Sequence, residues 1–154
     1  ARLARGEFAA ILLATAGLKR LGFRSRIRAI LPPELLLPAV GQGAIAIECR
    51  AGDRAVEQLI APLHHGPTAT CVAAERALNA RLEGGCQVPI AAFAELAGDT
   101  LHLRALVGEP DGSRVIHGDI EGDAERAVDL GADLADELLS RGARVILDKV
   151  YGRV

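Results

Sequence analysis

Residues 81–90 read Arg-Leu-Glu-Gly-Gly-Cys-Gln-Val-Pro-Ile, and at this stretch a helical pattern gives way to an extended one. A cysteine directly after two glycines is expected on a loop, where its thiol can react as a thiolate. The alternative is a buried structural cysteine, because free cysteines are among the most buried residue types. The spacing alone leaves both interpretations of Cys86 open.

The residues before this stretch predict a helix over 68–83. Its apolar side chains recur at helical spacing and form one stripe, made of Cys71, Ala74, Leu78 and Leu82. The polar side chains of the helix are expected away from that stripe, namely Glu75, Arg76, Asn79 and Arg81. Gly84 or Gly85 is expected to supply the left-handed residue that ends the helix.

The residues after it predict a small antiparallel sheet and a second helix. Glycine-containing turns at 98–99 and 110–112 separate three short strands, at residues 92–96, 100–108 and 114–121. A helix over 123–141 follows, and Gly142 is expected to stop it. The inward residues of this helix are Ala127, Leu130, Leu134 and Leu138, with an acidic, solvated face opposite. Residues 66–154 therefore predict an α+β domain of two helices on a three-stranded sheet.

The first 65 residues predict pieces of a different, parallel α/β architecture. Residues 8–14 are continuously apolar, which is typical of a strand buried on both faces, and residues 15–22 predict a short helix closed by a glycine. Ligands bind at such strand-to-helix junctions, and Arg20 is the basic residue best placed to face one. Residues 1–30 carry seven Arg or Lys against Glu7 alone, a net +6, so an anionic neighbour is expected. The alternative is that these arginines form a solvated face.

Residues 31–65 predict a crossing segment and another short helix. Three prolines interrupt residues 31–40, and residues 41–46, Gly-Gln-Gly-Ala-Ile-Ala, formally match a dinucleotide fingerprint. That fingerprint requires a helix next, whereas residues 44–49 favour a strand, so the glycines are expected to let the backbone approach a ligand or strand. A helix over 53–63 begins at the cap residue Asp53, and His64-His65 is expected to be a helix-end cation pair rather than a metal site.

Composition limits the classes of function. The chain has 154 residues, half of them apolar, a formal charge of −2 and 3% aromatics, which predicts a soluble globular protein without nucleic-acid stacking surfaces. No apolar run reaches the ~20 residues of a membrane span and no signal peptide is present, so a cytoplasmic location is expected. Three cysteines without paired spacing indicate neither a disulfide framework nor a zinc site. A chain without methionine that starts Ala-Arg-Leu is expected to be part of a longer protein.

Residues 75–91, Glu-Arg-Ala-Leu-Asn-Ala-Arg-Leu-Glu-Gly-Gly-Cys-Gln-Val-Pro-Ile-Ala, closely resemble the cofactor-attachment signature of the porphobilinogen deaminase (hydroxymethylbilane synthase) family. Three further segments resemble the family in the same order, at residues 16–22, 37–44 and 103–108. The resemblance thus covers essentially the whole chain.

The resemblance implies a domain arrangement. In the family, two α/β domains of the periplasmic-binding-protein type flank a cleft, and a third, α+β domain carries the cysteine. Residues 1–37 are then the end of the second α/β domain, residues 38–65 a return segment of the first, and residues 66–154 the cofactor-attachment domain. The full-length protein is expected to be a monomer.

The resemblance also implies a chemistry. Cys86 is expected to hold a dipyrromethane cofactor through a thioether, formed when its thiolate attacks the methylene left after porphobilinogen loses ammonia. Four porphobilinogen molecules are then joined into a linear tetrapyrrole. Arg20 matches a substrate-binding arginine of the family, whose guanidinium pairs with the carboxylates of the pyrroles. Gln42 and Gly43 match a segment that lines the cleft near the pyrrole rings.

The amino-terminal half of the family, with most of its carboxylate-binding arginines, is expected to be missing from this chain. The aspartate that acts as general acid lies in the family's amino-terminal half, so we expect no catalytic residue in this chain, and the chain alone is expected to be inactive. The alternative hypothesis is a non-catalytic domain that keeps the fold and binds a carboxylated ligand or a partner protein.

Overall fold

The computed structural model describes residues 2–85 and 87–152, so Cys86 lies outside the described residues. The chain divides into two compact units, one ending at Pro32 and the other beginning at Pro33. The domain boundaries that the sequence predicts at residues 37 and 65 stay predictions.

The unit that ends at Pro32 contains one α-helix, α1, over Thr15–Arg20, and single 3-10 turns at Leu3–Arg5 and Arg24–Arg26. Gly22 follows α1 with φ 78°, as the predicted glycine stop requires. The prediction of a buried strand at residues 8–14 is wrong, because these residues join no sheet and Leu12 is 68% exposed. A strand needs neighbouring strands to bond its backbone, and the described part of this unit contains none.

The second unit contains the predicted antiparallel sheet. Its strands are β1 (Ile90–Ala97), β2 (Thr100–Gly108) and β3 (Val115–Asp123), in the order β1-β2-β3. Leu103 of β2 faces Ala94 of β1 and Ile120 of β3 across the ladders. The buried side of β2 consists of alternate residues, Leu101, Leu103, Ala105 and Val107. This alternation is the pattern of a sheet with one covered face.

The described residues of this unit form four α-helices: α2 (Arg54–Ile60), α3 (Gly66–Arg81), α4 (Ala127–Leu138) and α5 (Arg144–Val150). Asp53 caps α2 as predicted, because its carboxylate accepts the Val56 N–H at 3.3 Å. His65 lies at the start of α3. Its Nδ1 accepts the Thr68 N–H at 3.3 Å and caps the helix.

Glycines allow α4 to pack closely on its neighbours. A Cβ at Gly131 would lie 2.2 Å from the Ala74 carbonyl oxygen of α3, so only glycine fits at this helix crossing. On β3, Cβ atoms at Gly118 and Gly122 would lie 2.9 Å from leucine methyl groups of α4. The predicted inward residues of α4 are all buried in the resulting core, namely Ala127, Leu130, Leu134 and Leu138.

The last helix differs from the prediction of a single helix over 123–141. A 3-10 turn at Ala124–Arg126 precedes α4, and a π turn at Leu139–Ala143 follows it. Gly142 does interrupt the helix, with φ 98°, but the chain then continues as α5. Ile146 and Leu147 of α5 are completely buried, so packing against the core accounts for the second helix. In the part of residues 66–154 that the structure describes, three α-helices, not two, therefore accompany the sheet.

The end of α3 also differs from the prediction. Neither Gly84 nor Gly85 has positive φ; Glu83 takes the left-handed conformation, with φ 57°. The Tyr151 hydroxyl donates to the Glu83 carbonyl, and Arg144 pairs with the Glu83 carboxylate at 3.2 Å. Gly84 is needed for a different reason, because a Cβ there would lie 2.0 Å from the Asn79 side-chain oxygen.

The segment from Glu34 to Gly41, which has a turn at each end, is bonded to the sheet and α3 at three points. Arg104 of β2 pairs with Glu34 at 2.8 Å, and the Ala92 N–H of β1 donates to the Pro38 carbonyl at 3.2 Å. The third point is the Gly41 N–H, which donates to Glu75. Beyond this segment, the strand favoured at residues 44–49 is absent, and Ile45 is 83% exposed.

Candidate functional site

A cavity of about 490 Å³ lies between the turn at residues 41–44, α3 and β1. Its volume falls within the range of ligand pockets. The residues of interest on its walls are Gln42, Gly43, Cys71, Glu75 and Phe93. The structure therefore places two of the predicted binding residues, Gln42 and Gly43, on one concave surface.

The turn at residues 41–44 is built on two glycines with left-handed backbone, Gly41 at φ 70° and Gly43 at φ 91°. The Gln42 N–H donates to the Ala39 carbonyl at 2.9 Å, and the Ala44 N–H donates to the Gly41 carbonyl at 3.2 Å. A Cβ at Gly43 would meet no atom within 4 Å, so the space beside this backbone is open. A flat ligand can therefore approach the peptide groups of the turn.

Glu75 holds this turn from beneath. Only 5% of the Glu75 residue is exposed to solvent. One carboxylate oxygen accepts the Gly41 N–H at 2.6 Å, and the other accepts the Ala94 N–H at 2.9 Å. Burial raises the pKa of Glu75, and the two backbone hydrogen bonds lower it by less. The carboxylate thereby joins the turn to the free edge of β1.

The prediction that Glu75 lies away from the apolar stripe of α3 is wrong. Residues 71, 75, 78 and 82 follow the i, i+4, i+7, i+11 spacing of a single helix face, so Glu75 lies within the stripe. This spacing in the sequence therefore indicates that Glu75 is buried. An acidic residue in the middle of an apolar stripe indicates a buried carboxylate with specific donors.

Cys71 lies one turn before Glu75 and packs against the hydrophobic core. Burial raises the pKa of its thiol, and the nearby Glu75 and Glu95 carboxylates raise it further. Its thiol is therefore protonated near neutral pH, as suits the core role that the sequence predicts for this cysteine.

Arg20 lies at the end of α1, in the unit that ends at Pro32, and its side chain is exposed. Glu7, the only acidic residue of that unit, pairs with Arg2 at 2.7 Å and Arg5 at 2.6 Å. No carboxylate of the unit's described residues therefore neutralises Arg20. An external carboxylate is a suitable partner for such a guanidinium.

Cys86 lies outside the described residues, but the residues on both sides are described. Residues 82–85 lead away from α3, residues 87–89 lead into β1, and neither stretch is helix or strand. In the described ranges 2–85 and 87–152, no three metal-ligating side chains converge on a common point. Within the same ranges, no helix has the length and apolar character of a membrane span.

Two family models match the chain. Residues 1–58 match the model described as porphobilinogen deaminase, dipyromethane cofactor binding domain. Residues 69–140 match the model described as porphobilinogen deaminase, C-terminal domain. The chain belongs to the porphobilinogen deaminase family.

This membership confirms the resemblance seen in the sequence and makes the parent enzyme a transferase, hydroxymethylbilane synthase, of tetrapyrrole synthesis. Its cofactor is dipyrromethane, and its family substrate is porphobilinogen. Arg20, Gln42 and Gly43 fall within the match to the cofactor-binding domain, whereas Cys86 falls within the match to the C-terminal domain. The roles of these four residues stay predictions.

Proposed function

We propose that the chain is part of an enzyme that joins four porphobilinogen molecules, with release of ammonia, into a linear tetrapyrrole. Cys86 holds the dipyrromethane primer through a thioether. The observation that carries this proposal is the presence, in one chain and in order, of matches to the cofactor-binding domain and the C-terminal domain. When bound, the dipyrromethane supplies the fixed end of the growing chain.

The geometry of the turn at residues 41–44 supports a role in binding pyrroles. The open side of Gly43 gives a planar ring access to backbone groups, and the cavity of about 490 Å³ has room for a small ligand. Gln42 is exposed at the rim, where its amide can donate to or accept from a polar substituent. These features make Gln42 and Gly43 suitable for contacts with the pyrrole rings of the cofactor or of the substrate.

Arg20 is proposed to bind a carboxylate of the substrate or of the growing chain. Its guanidinium is exposed and is not neutralised within its unit, and arginine binds carboxylates bidentately. We also propose that residues 1–65 belong to periplasmic-binding-protein-like α/β domains, and that the full-length protein is a cytoplasmic monomer.

Arg20→Leu tests the proposed binding role in the full-length protein. We expect a loss of about 1.5–3 kcal/mol of transition-state binding, or roughly tenfold or more in kcat/KM for porphobilinogen, because a charge-assisted contact is removed. Lys19→Leu, at the neighbouring exposed cation of α1, is the matched control and is expected to change kcat/KM little. Equal effects of both variants would contradict a specific role of Arg20.

A further inference from the structure

Glu75 has an unusual environment for a carboxylate. It lies on the core side of α3, between the buried residues Ala74 and Leu78, and only 5% of it is exposed. Ionised groups are costly to bury unless a counter-charge or several donors compensate. No Arg, Lys or His among the described residues forms an ion pair with Glu75, so its two backbone donors provide the compensation.

The two donors belong to elements that are otherwise distant in the sequence. Ala94 lies on β1, one of the two edge strands of the sheet in the described residues, and its N–H donates to Glu75 and not to a neighbouring strand. Gly41 begins the turn that carries Gln42 and Gly43. The Glu75 carboxylate therefore accepts a backbone N–H of an edge strand. It also accepts the N–H of Gly41, which begins the turn and lies 34 positions before Glu75 in the chain.

Besides the bond from Gly41 to Glu75, the turn is attached through Val40, which packs against the hydrophobic core of the unit. Pro38, three residues before Gly41, accepts a hydrogen bond from Ala92, and the remaining bonds of residues 39–44 are local to the turn. Glycines at positions 41 and 43 give this backbone more conformational freedom than other residues would. The bond from the Gly41 N–H to Glu75 is therefore the one hydrogen bond among the described residues that joins residues 39–44 to α3, and it lies directly beside Gln42 and Gly43.

We infer that Glu75 is a positioning residue: it holds the Gly41–Gly43 turn at the distance from β1 at which Gln42 and Gly43 bind the pyrrole rings. It does not touch the substrate itself. The part of this inference that concerns the binding of pyrroles rests on the proposed function. The part that concerns the conformation of the turn does not.

The test uses Glu75→Gln and Glu75→Asp in the full-length protein. A glutamine side chain keeps one acceptor oxygen and turns an NH₂ group toward the other N–H donor, and aspartate is too short to reach both donors. Leu78→Ala is the matched control, because Leu78 is a completely buried residue of the same helix that does not line the cavity. Circular dichroism establishes that each variant is folded at the temperature of the assay.

Two measurements are compared, amide hydrogen exchange of residues 38–46 and the steady-state kinetics with porphobilinogen. We expect both Glu75 variants to exchange selectively faster in residues 38–46, by about tenfold for one lost charge-assisted bond, and to raise KM more than they lower kcat. Leu78→Ala is expected to accelerate exchange across α3 and the sheet without this selectivity.

Unchanged amide exchange in residues 38–46 of the Glu75 variants would show that Glu75 does not hold the turn in place, and would overturn the inference. Faster exchange with unchanged KM would overturn the positioning role in binding. Neither result depends on Cys86 or Arg20, so failure of this inference is distinguishable from failure of the proposed function, which those residues test.

Discussion

At the residue scale, Glu75 shows how one side chain can serve both stability and the site. A leucine at this position would complete the apolar stripe of α3, but it could not accept the N–H groups of Gly41 and Ala94. The Ala94 donor would then lack a partner in a buried environment, which costs about 1–3 kcal/mol, and the part-buried Gly41 donor would lose its bond as well. The acidic residue is therefore favoured by its hydrogen bonds in spite of its desolvation.

The raised pKa of Glu75 predicts a pH dependence of stability. Since the folded protein binds this proton more tightly than the unfolded chain does, the free energy of unfolding falls as the pH rises from the ordinary glutamate pKa through the raised one. Glu75→Gln is expected to lack this contribution. Urea unfolding of the wild type and of Glu75→Gln between about pH 4 and pH 7 gives the difference in their free energies of unfolding. The contributions of the other carboxylates are the same in both proteins and cancel in this difference. A difference that does not change with pH would contradict the assignment.

At the element scale, the sequence predicts the strands and the long helices well because their apolar spacing reports burial directly. The strands at residues 90–97, 100–108 and 115–123 lie within two residues of their predicted ends. The prediction failed where an element depends on distant contacts. The helix after Gly142 forms because Ile146 and Leu147 are buried, and the apolar run at 8–14 forms no strand because no described strand of its unit pairs with it.

The contact between α3 and α4 predicts the effect of Gly131→Ala. A methyl group at this position would overlap the Ala74 carbonyl of α3, so the helices must separate. We expect a loss of about 1–3 kcal/mol in the free energy of unfolding, even though alanine favours helix more than glycine does. Gly66→Ala is the control, because its Cβ would meet no atom within 4 Å, and a change under about 0.5 kcal/mol is expected. Similar losses for both variants in denaturant unfolding would contradict this packing argument.

The left-handed residue at the end of α3 predicts a difference between two substitutions at Glu83. Both Glu83→Gly and Glu83→Ala remove the exposed pair with Arg144 and leave the backbone bond from Tyr151 in place. Alanine resists the φ of 57° and glycine does not, so the glycine variant is expected to be more stable by about 1 kcal/mol. Thermal unfolding of the two variants measures the difference. An alanine variant as stable as the glycine variant would show that the backbone leaves this conformation in solution.

At the scale of the whole molecule, the chain carries two matched regions of one enzyme family and two compact structural units, which do not divide at the same residue. The match to the cofactor-binding domain extends to residue 58, well past the division at Pro32 and Pro33. Residues 33–41 lie within that match, yet they are bonded to β1, β2 and α3. The hydrogen bonds of this segment therefore link the cofactor-binding region to the domain that contains the position of Cys86.

The candidate site was only partly predictable. Arg20, Gln42, Gly43 and Cys86 could be nominated because short motifs carry the resemblance. The support of the turn by Glu75 required the three-dimensional structure, because Glu75 and Gly41 are brought together by packing and not by local sequence. The helix spacing alone indicates that Glu75 is buried, but it does not identify its donors.

The covalent attachment of dipyrromethane to Cys86 is the central claim, and intact-mass measurement of the full-length protein tests it most directly. The predicted result is a mass excess of two pyrrole units in the wild type that is absent from Cys86→Ser, while Cys71→Ser retains it. A wild-type enzyme that makes the tetrapyrrole without any mass excess would contradict the claim.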